Sequence, residues 1–148
     1  MESCYSSDML DKFDLFKKGS FNIFKQWPAF RMALDHNPEL LTIYADEERK
    51  ELEIYYFLRC VLSDIDDEIV KKNHTMAVTN IIGEILLEFI FSYFNIEIED
   101  YSEKLIANDI LKLHSQIFRE EKKTFYIELE KSANLFKGEY SVDFPITK

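Results

Sequence analysis

The sequence predicts an all-α fold: a single compact domain of five or six helices around a central apolar helix, with its core over residues 7–137 and a short tail at 138–148. Three observations carry that prediction. Every long apolar pattern repeats at spacings of three and four, the period of one helix face, and none alternates as a half-buried strand does. Three Gly and three Pro among 148 residues leave room for few turns, while 47% hydrophobic content supplies a packed core. The third observation is the stretch from Met76 to Glu103. Val78, Ile81, Ile82, Ile85, Phe89 and Tyr93 form one apolar helical face, and Leu86, Leu87, Ile90 and Phe91 widen it almost to the full circumference. Such a helix has to be covered on most sides, which makes it the centre of the fold. Its length also suits a membrane crossing, but Glu84 and Glu88 each cost roughly 2–4 kcal/mol at mid-span, and no basic flank anchors either end. The reading is a buried core helix, with no membrane.

The other elements follow in order. Ser6, Ser7 and Asp8 can cap a first helix whose apolar positions run through Leu10, Phe13, Phe16, Ile23, Phe24, Trp27, Phe30 and Leu34. Gly19 costs that helix about 1 kcal/mol relative to Ala, and Pro28 removes a backbone donor, so the run is one kinked helix or two helices meeting at Trp27. His36-Asn37-Pro38 ends it. A second helix starts at Asp46, with Glu47, Glu48 and Glu51 well placed in its first turns, and uses Leu52, Tyr55, Tyr56, Leu58, Val61, Leu62 and Ile65 as its apolar face. Its far end carries Asp64, Asp66, Asp67 and Glu68, where carboxylates oppose the helix dipole, so their charge points to something other than helix stability. Beyond the central helix, a short turn leads to a helix capped by Ser102, with the stripe Leu105, Ile106, Ile110, Leu113, Ile117 and Phe118. Arg119 to Lys123 reads as a charged hinge. A last helix through Phe125, Tyr126, Leu129, Ala133 and Phe136 ends at Gly138.

The net charge of −10 repels phosphates, so a basic protein, and not nucleic acid, is the natural direct partner. That charge is regional. Asp46 to Glu68 is net −6 and Met76 to Glu103, which holds no Lys or Arg, is also net −6, leaving the rest of the chain at +2. An acidic run is commonly only a solvated face; with two of them flanking one turn region, a binding surface stands beside it as an open alternative. Cys4 and Cys60 encode neither a disulfide framework nor a zinc site, which suits a reducing compartment, and the N-terminus lacks the basic and apolar regions of a signal peptide. His36, His74 and His114 stand isolated, and there is no phosphate-cradling glycine loop or nucleophile elbow. No catalytic residue, metal site or cofactor is expected. Glu84 and Glu88, one turn apart, lack the Glu-x-x-His companion of a di-iron bundle and read as a solvated helix edge. Trp27, the sole tryptophan, reads as core.

Two longer patterns remain. The first run contains Leu15-Phe16, two residues, Gly19, seven residues, Trp27-Pro28-Ala29, three residues and Ala33. The central stretch contains Gly83-Glu84-x-Leu86, then Phe94, then Glu99-Asp100-x-Ser102. Over Leu15 to Phe118 these resemble the WGG-domain pre-rRNA-processing family, the dedicated nuclear escort chaperones of ribosomal protein twenty-six of the small subunit. Where that family places a glycine pair after a Trp or Phe, this chain reads Asp35-His36-Asn37-Pro38-Glu39-Leu40. Where its members commonly carry a long acidic tail ending in a short aromatic motif, this chain closes on the nearly neutral Tyr140 to Lys148, so a tail-dependent step is expected to be lost or moved to the body.

The resemblance implies a monomeric, non-enzymatic escort of nucleus and cytoplasm. It would take a basic small-subunit ribosomal protein from its importin, shield the client's RNA-binding surface and deliver it to the pre-ribosome, supporting pre-rRNA processing. Carboxylates would stand in for rRNA phosphates, giving fast, salt-sensitive association. The expected contact residues are Glu97, Glu99, Asp100 and Glu103, all pointing to solvent, joined by Asp64, Asp66, Asp67 and Glu68. An acidic helical adaptor or oligomerisation module with no ribosomal client is the alternative.

Overall fold

The protein is all-α, as a computed structural model that describes residues 7–36, 53–72 and 77–134. Among the described residues there is no strand; the elements are α1 (Ser7–Lys25), α2 (Pro28–Asp35), α3 (Glu53–Lys71), α4 (Ala77–Phe94), α5 (Ser102–Ser115), a π-turn (Gln116–Glu120) and α6 (Thr124–Asn134). The expected start of the second helix at Asp46, with Glu47, Glu48 and Glu51, lies outside the described residues, as do Phe136 and Gly138 beyond α6.

At Trp27 the chain makes two helices, not one kinked one. Trp27 is extended (φ −85°, ψ 110°), and Pro28 occupies the first position of α2, where its fixed φ suits a helix and its missing N–H has no intrahelical partner to lose. Upstream, Gly19 is buried inside α1, and a Cβ built there would meet Leu113 of α5 at 2.6 Å. The helix propensity lost at Gly19 thus permits close approach of α1 and α5.

Phe16, Phe21, Phe24, Trp27 and Phe30 form the most deeply buried aromatic cluster, all from α1, α2 and their junction. Phe30 meets Phe94 of α4 edge to face at 6.0 Å between ring centroids, which ties the start of the chain to the end of the central helix. Two helices share the centre: α1 packs on α2, α3, α5, α6 and the π-turn, and α4 packs on α2, α3 and α5. By length and composition alone α4 could cross a membrane. Here it buries Val78, Ile82, Leu86, Phe89, Ile90 and Phe94, while Phe91 and Tyr93 on its outer side stay 51% and 42% exposed. Most of α4 is thus covered, and the side that carries Phe91 and Tyr93 stays exposed among the described residues.

The exit from α4 also differs from the short turn expected. Residues 95–101 form an extended strap, entered through Asn95 (φ 57°) and left through Tyr101 (φ 61°), both left-handed. Asn tolerates that region through its short polar side chain, whereas Tyr gains no such help. Along the strap Ile96 and Ile98 are half-buried against the core while Glu97 and Glu99 are exposed, the alternation of an extended chain. The expected charged hinge is a π-turn that ends on left-handed Glu121, and the Gln116 side-chain oxygen accepts a bond from the Phe125 N–H at 3.0 Å to start α6.

Candidate partner-binding surface

Between α2 and the strap runs a groove of about 690 Å³. Ala29 and Met32 line it from α2, and Phe94, Ile96 and Ile98 complete an apolar floor. Glu97, Glu99 and Asp100 form the rim, His36 lines the groove as well, and none of the described lining residues is Lys or Arg. An apolar floor under an unneutralised acidic rim suits a segment that is cationic and carries apolar side chains.

Three side chains fix the strap against α2. The indole Nε1–H of buried Trp27 donates to Ser102 Oγ at 2.8 Å. The Ser102 backbone N–H in turn donates to Asp100 Oδ1 at 3.1 Å, and the Ser102 hydroxyl also donates to that carboxylate. Those two bonds hold the Asp100 carboxyl below its ordinary pKa, the backbone bond contributing most. Residues of the two motif blocks thereby meet: Trp27 from the first, Asp100 and Ser102 from the second. Ser102 was expected to cap α5; instead Tyr101 is the N-cap residue, with no side-chain cap bond, and Ser102 links Trp27 to Asp100.

The eight expected contact residues separate. Glu97, Glu99 and Asp100 are exposed together on the groove rim. Glu103, expected to point to solvent, is 4% exposed, with its Cγ 3.6 Å from where a Gly83 Cβ would sit, and its Oε1 is buried without a hydrogen-bond partner. An α5 that begins at Ser102 points its second residue at α4, so Glu103 belongs to the helix packing and not to the surface. Asp64 and Asp67 are exposed. Asp66 is not free for a partner, because its Oδ1 is hydrogen-bonded to His114 Nε2 at 2.7 Å. Glu68 lies 3.7 Å from Lys71, one turn on. Nor do Asp64 to Glu68 end their helix: α3 runs on to Lys71, which places a cation in the last turn where the dipole favours it. No described groove holds residues of both acidic sets.

Two features were not foreseen. His114, read as isolated, is 1% exposed, stacks on Phe118 at 4.3 Å and meets Phe16 edge-on at 5.0 Å, so with Asp66 it is a buried polar link between α5 and α3. A second groove, between α3 and α4, is lined by Asp64, Glu84 and Glu88 above an apolar floor. Only a three-dimensional neighbour reveals either, since Asp66 and His114 are 48 positions apart. Among the described residues no cluster of His, Cys, Asp or Glu is arranged to hold a metal ion. No family model, curated protein or solved structure matches this chain.

Proposed function

We propose that this protein is an escort chaperone that grips a basic small-subunit ribosomal protein, ribosomal protein twenty-six by the resemblance, in the groove between α2 and the strap. The observation that carries the reading is the composition of that groove: Glu97, Glu99 and Asp100 rim an apolar floor with no Lys or Arg among the described lining residues. A cationic client would be drawn in by the carboxylates and held by its apolar side chains on Met32, Phe94, Ile96 and Ile98. Because rRNA phosphates compete for the same cations, such a grip releases where the client meets its binding site on the pre-ribosome. The client would be taken over from an importin complex, so the protein works in both nucleus and cytoplasm, and pre-rRNA processing fails downstream when it is absent. No catalytic step or cofactor enters the reading.

Exposed Met32, Val70, Phe91 and Leu105 favour a second reading, an acidic adaptor or oligomerisation module whose charge keeps apolar surface soluble. Affinity purification at low and at physiological salt tests the two. The escort brings down one small basic ribosomal protein, in a salt-sensitive manner; an adaptor brings down none.

A further inference from the structure

The groove between α3 and α4, about 560 Å³, plays no part in that reading. Its floor is Val61 of α3 with Ile81, Ile85 and Phe89 of α4, closed at one end by Phe57 and Tyr93, whose rings stack at 4.4 Å. Asp64, Glu84 and Glu88 stand exposed along it, and among the described residues no Lys or Arg lines it and none of the three carboxylates forms an ion pair. From Ile81 to Tyr93 the floor extends over roughly 18 Å, a little more than three helical turns.

We propose that this groove is a docking site for an amphipathic helix with Lys and Arg beside its apolar stripe. A furrow between two helices accepts the side-chain ridge of a third, and anchors spaced three and four apart would meet a floor whose own residues, Ile81, Ile85 and Phe89, recur every fourth position. The described residues offer no sheet edge to which an extended segment could add. Charge decides the occupant's sign. A second copy seated on the same groove by two-fold symmetry would bring Asp64, Glu84 and Glu88 against their own equivalents, and an anionic lipid surface would be repelled likewise. A cationic helix satisfies both floor and rim.

The probe is a synthetic helix of Leu and Lys, about 14 residues long to span the groove at ~1.5 Å per residue, and its control is the same composition in alternating order, which has no apolar helical face. Cys60 lines the groove and is a free, exposed thiol, so its alkylation by N-ethylmaleimide reports occupancy once Cys4→Ser has removed the other cysteine. The expected result is that the helical probe binds and protects Cys60, the alternating one protects it far less, and Glu84→Lys/Glu88→Lys weakens binding by about tenfold or more while Glu97→Lys/Glu99→Lys on the other groove changes it less than about twofold. Unchanged circular dichroism shows that the variants are folded. Failure to protect Cys60 at saturation overturns the proposal. So does equal loss in the two double variants, which means net charge alone, and so does a Cys60 already unreactive in the dilute free chain, which means that the groove is covered by another segment or a second copy. No ribosomal protein enters this experiment, so its outcome is independent of the client assigned above.

Discussion

Replacing Trp27 with Ala removes the largest fully buried side chain, 1% exposed in the aromatic cluster with Phe24 and Phe30. Lost burial and an unfilled cavity cost about 3–5 kcal/mol. For a chain of this size each kcal/mol lowers Tm by about 2–4 °C, so a fall of roughly 6–20 °C is expected in melts followed by circular dichroism. The indole has a second role that Ala and Phe both abolish: its N–H donates to Ser102. Ser102→Ala leaves that buried N–H without its acceptor, which costs about 1–3 kcal/mol. A cycle of Trp27→Phe, Ser102→Ala and the double variant should therefore show a coupling within about 0.5–3 kcal/mol, since the two side chains touch. Client binding should fall with the folded fraction and with the hold on the strap that the Trp27–Ser102 bond supplies. A Trp27→Ala protein that loses less than about 1 kcal/mol refutes the packing argument, given the usual range for buried aromatics; one that keeps its Tm and loses the client, where Ser102→Ala retains it, makes Trp27 a contact residue.

Three further outcomes are expected. Gly19→Ala should fail to stabilise the fold, because overpacking of Leu113, itself fully buried and 2.6 Å from the new Cβ, costs about 1–3 kcal/mol and cancels or exceeds the ~1 kcal/mol gained in helix propensity; a gain of that ~1 kcal/mol in urea titration would contradict the close packing. Glu103→Lys should cost about 3–5 kcal/mol by burying an unpaired cation beside Gly83, whereas Glu99→Lys on the exposed rim should leave Tm nearly unchanged. Burial holds the Asp109 carboxyl above its ordinary pKa, against the pull of Lys112, so the ionised form destabilises the fold; that penalty is absent below the unfolded value and complete above the folded one. Asp109→Asn should accordingly raise Tm at neutral pH and give no gain below about pH 4, in melts at the two pH values.

Local signals were the legible ones. Pro28 announces a break between helices at Trp27, because its ring acts within one or two residues of backbone. The apolar periodicity of α1 and α4 marks Phe16, Phe24, Val78, Ile82 and Leu86 as core without any knowledge of what covers them. What could not be read are facts about neighbours distant in sequence. Gly19 looks like a weak helix position until Leu113 is placed against it. Glu103 looks like one more acid in an acidic run, and only the approach of α5 to Gly83 takes it out of solvent. Asp66 likewise changes from a surface charge to the partner of a buried His114. At the candidate site the sequence located Glu97, Glu99 and Asp100, but the apolar floor beside them exists only because α2 lies along the strap.

One paired charge reversal tests whether the rim of the groove between α2 and the strap draws in a cationic client. Glu97→Lys/Glu99→Lys changes two exposed rim carboxylates and spares Asp100, whose bonds from Ser102 hold the strap. Glu128→Lys/Glu130→Lys makes the same charge change on exposed positions of α6, away from both grooves. Association of each with the basic ribosomal protein is followed by stopped flow at low and at physiological salt. The expected result is a severalfold slower association for the rim variant at low salt, shrinking as salt rises, with the α6 variant close to wild type and both melting temperatures unchanged. Equal losses in the two variants would reduce the effect to net charge and contradict the assignment of this groove as the client's seat.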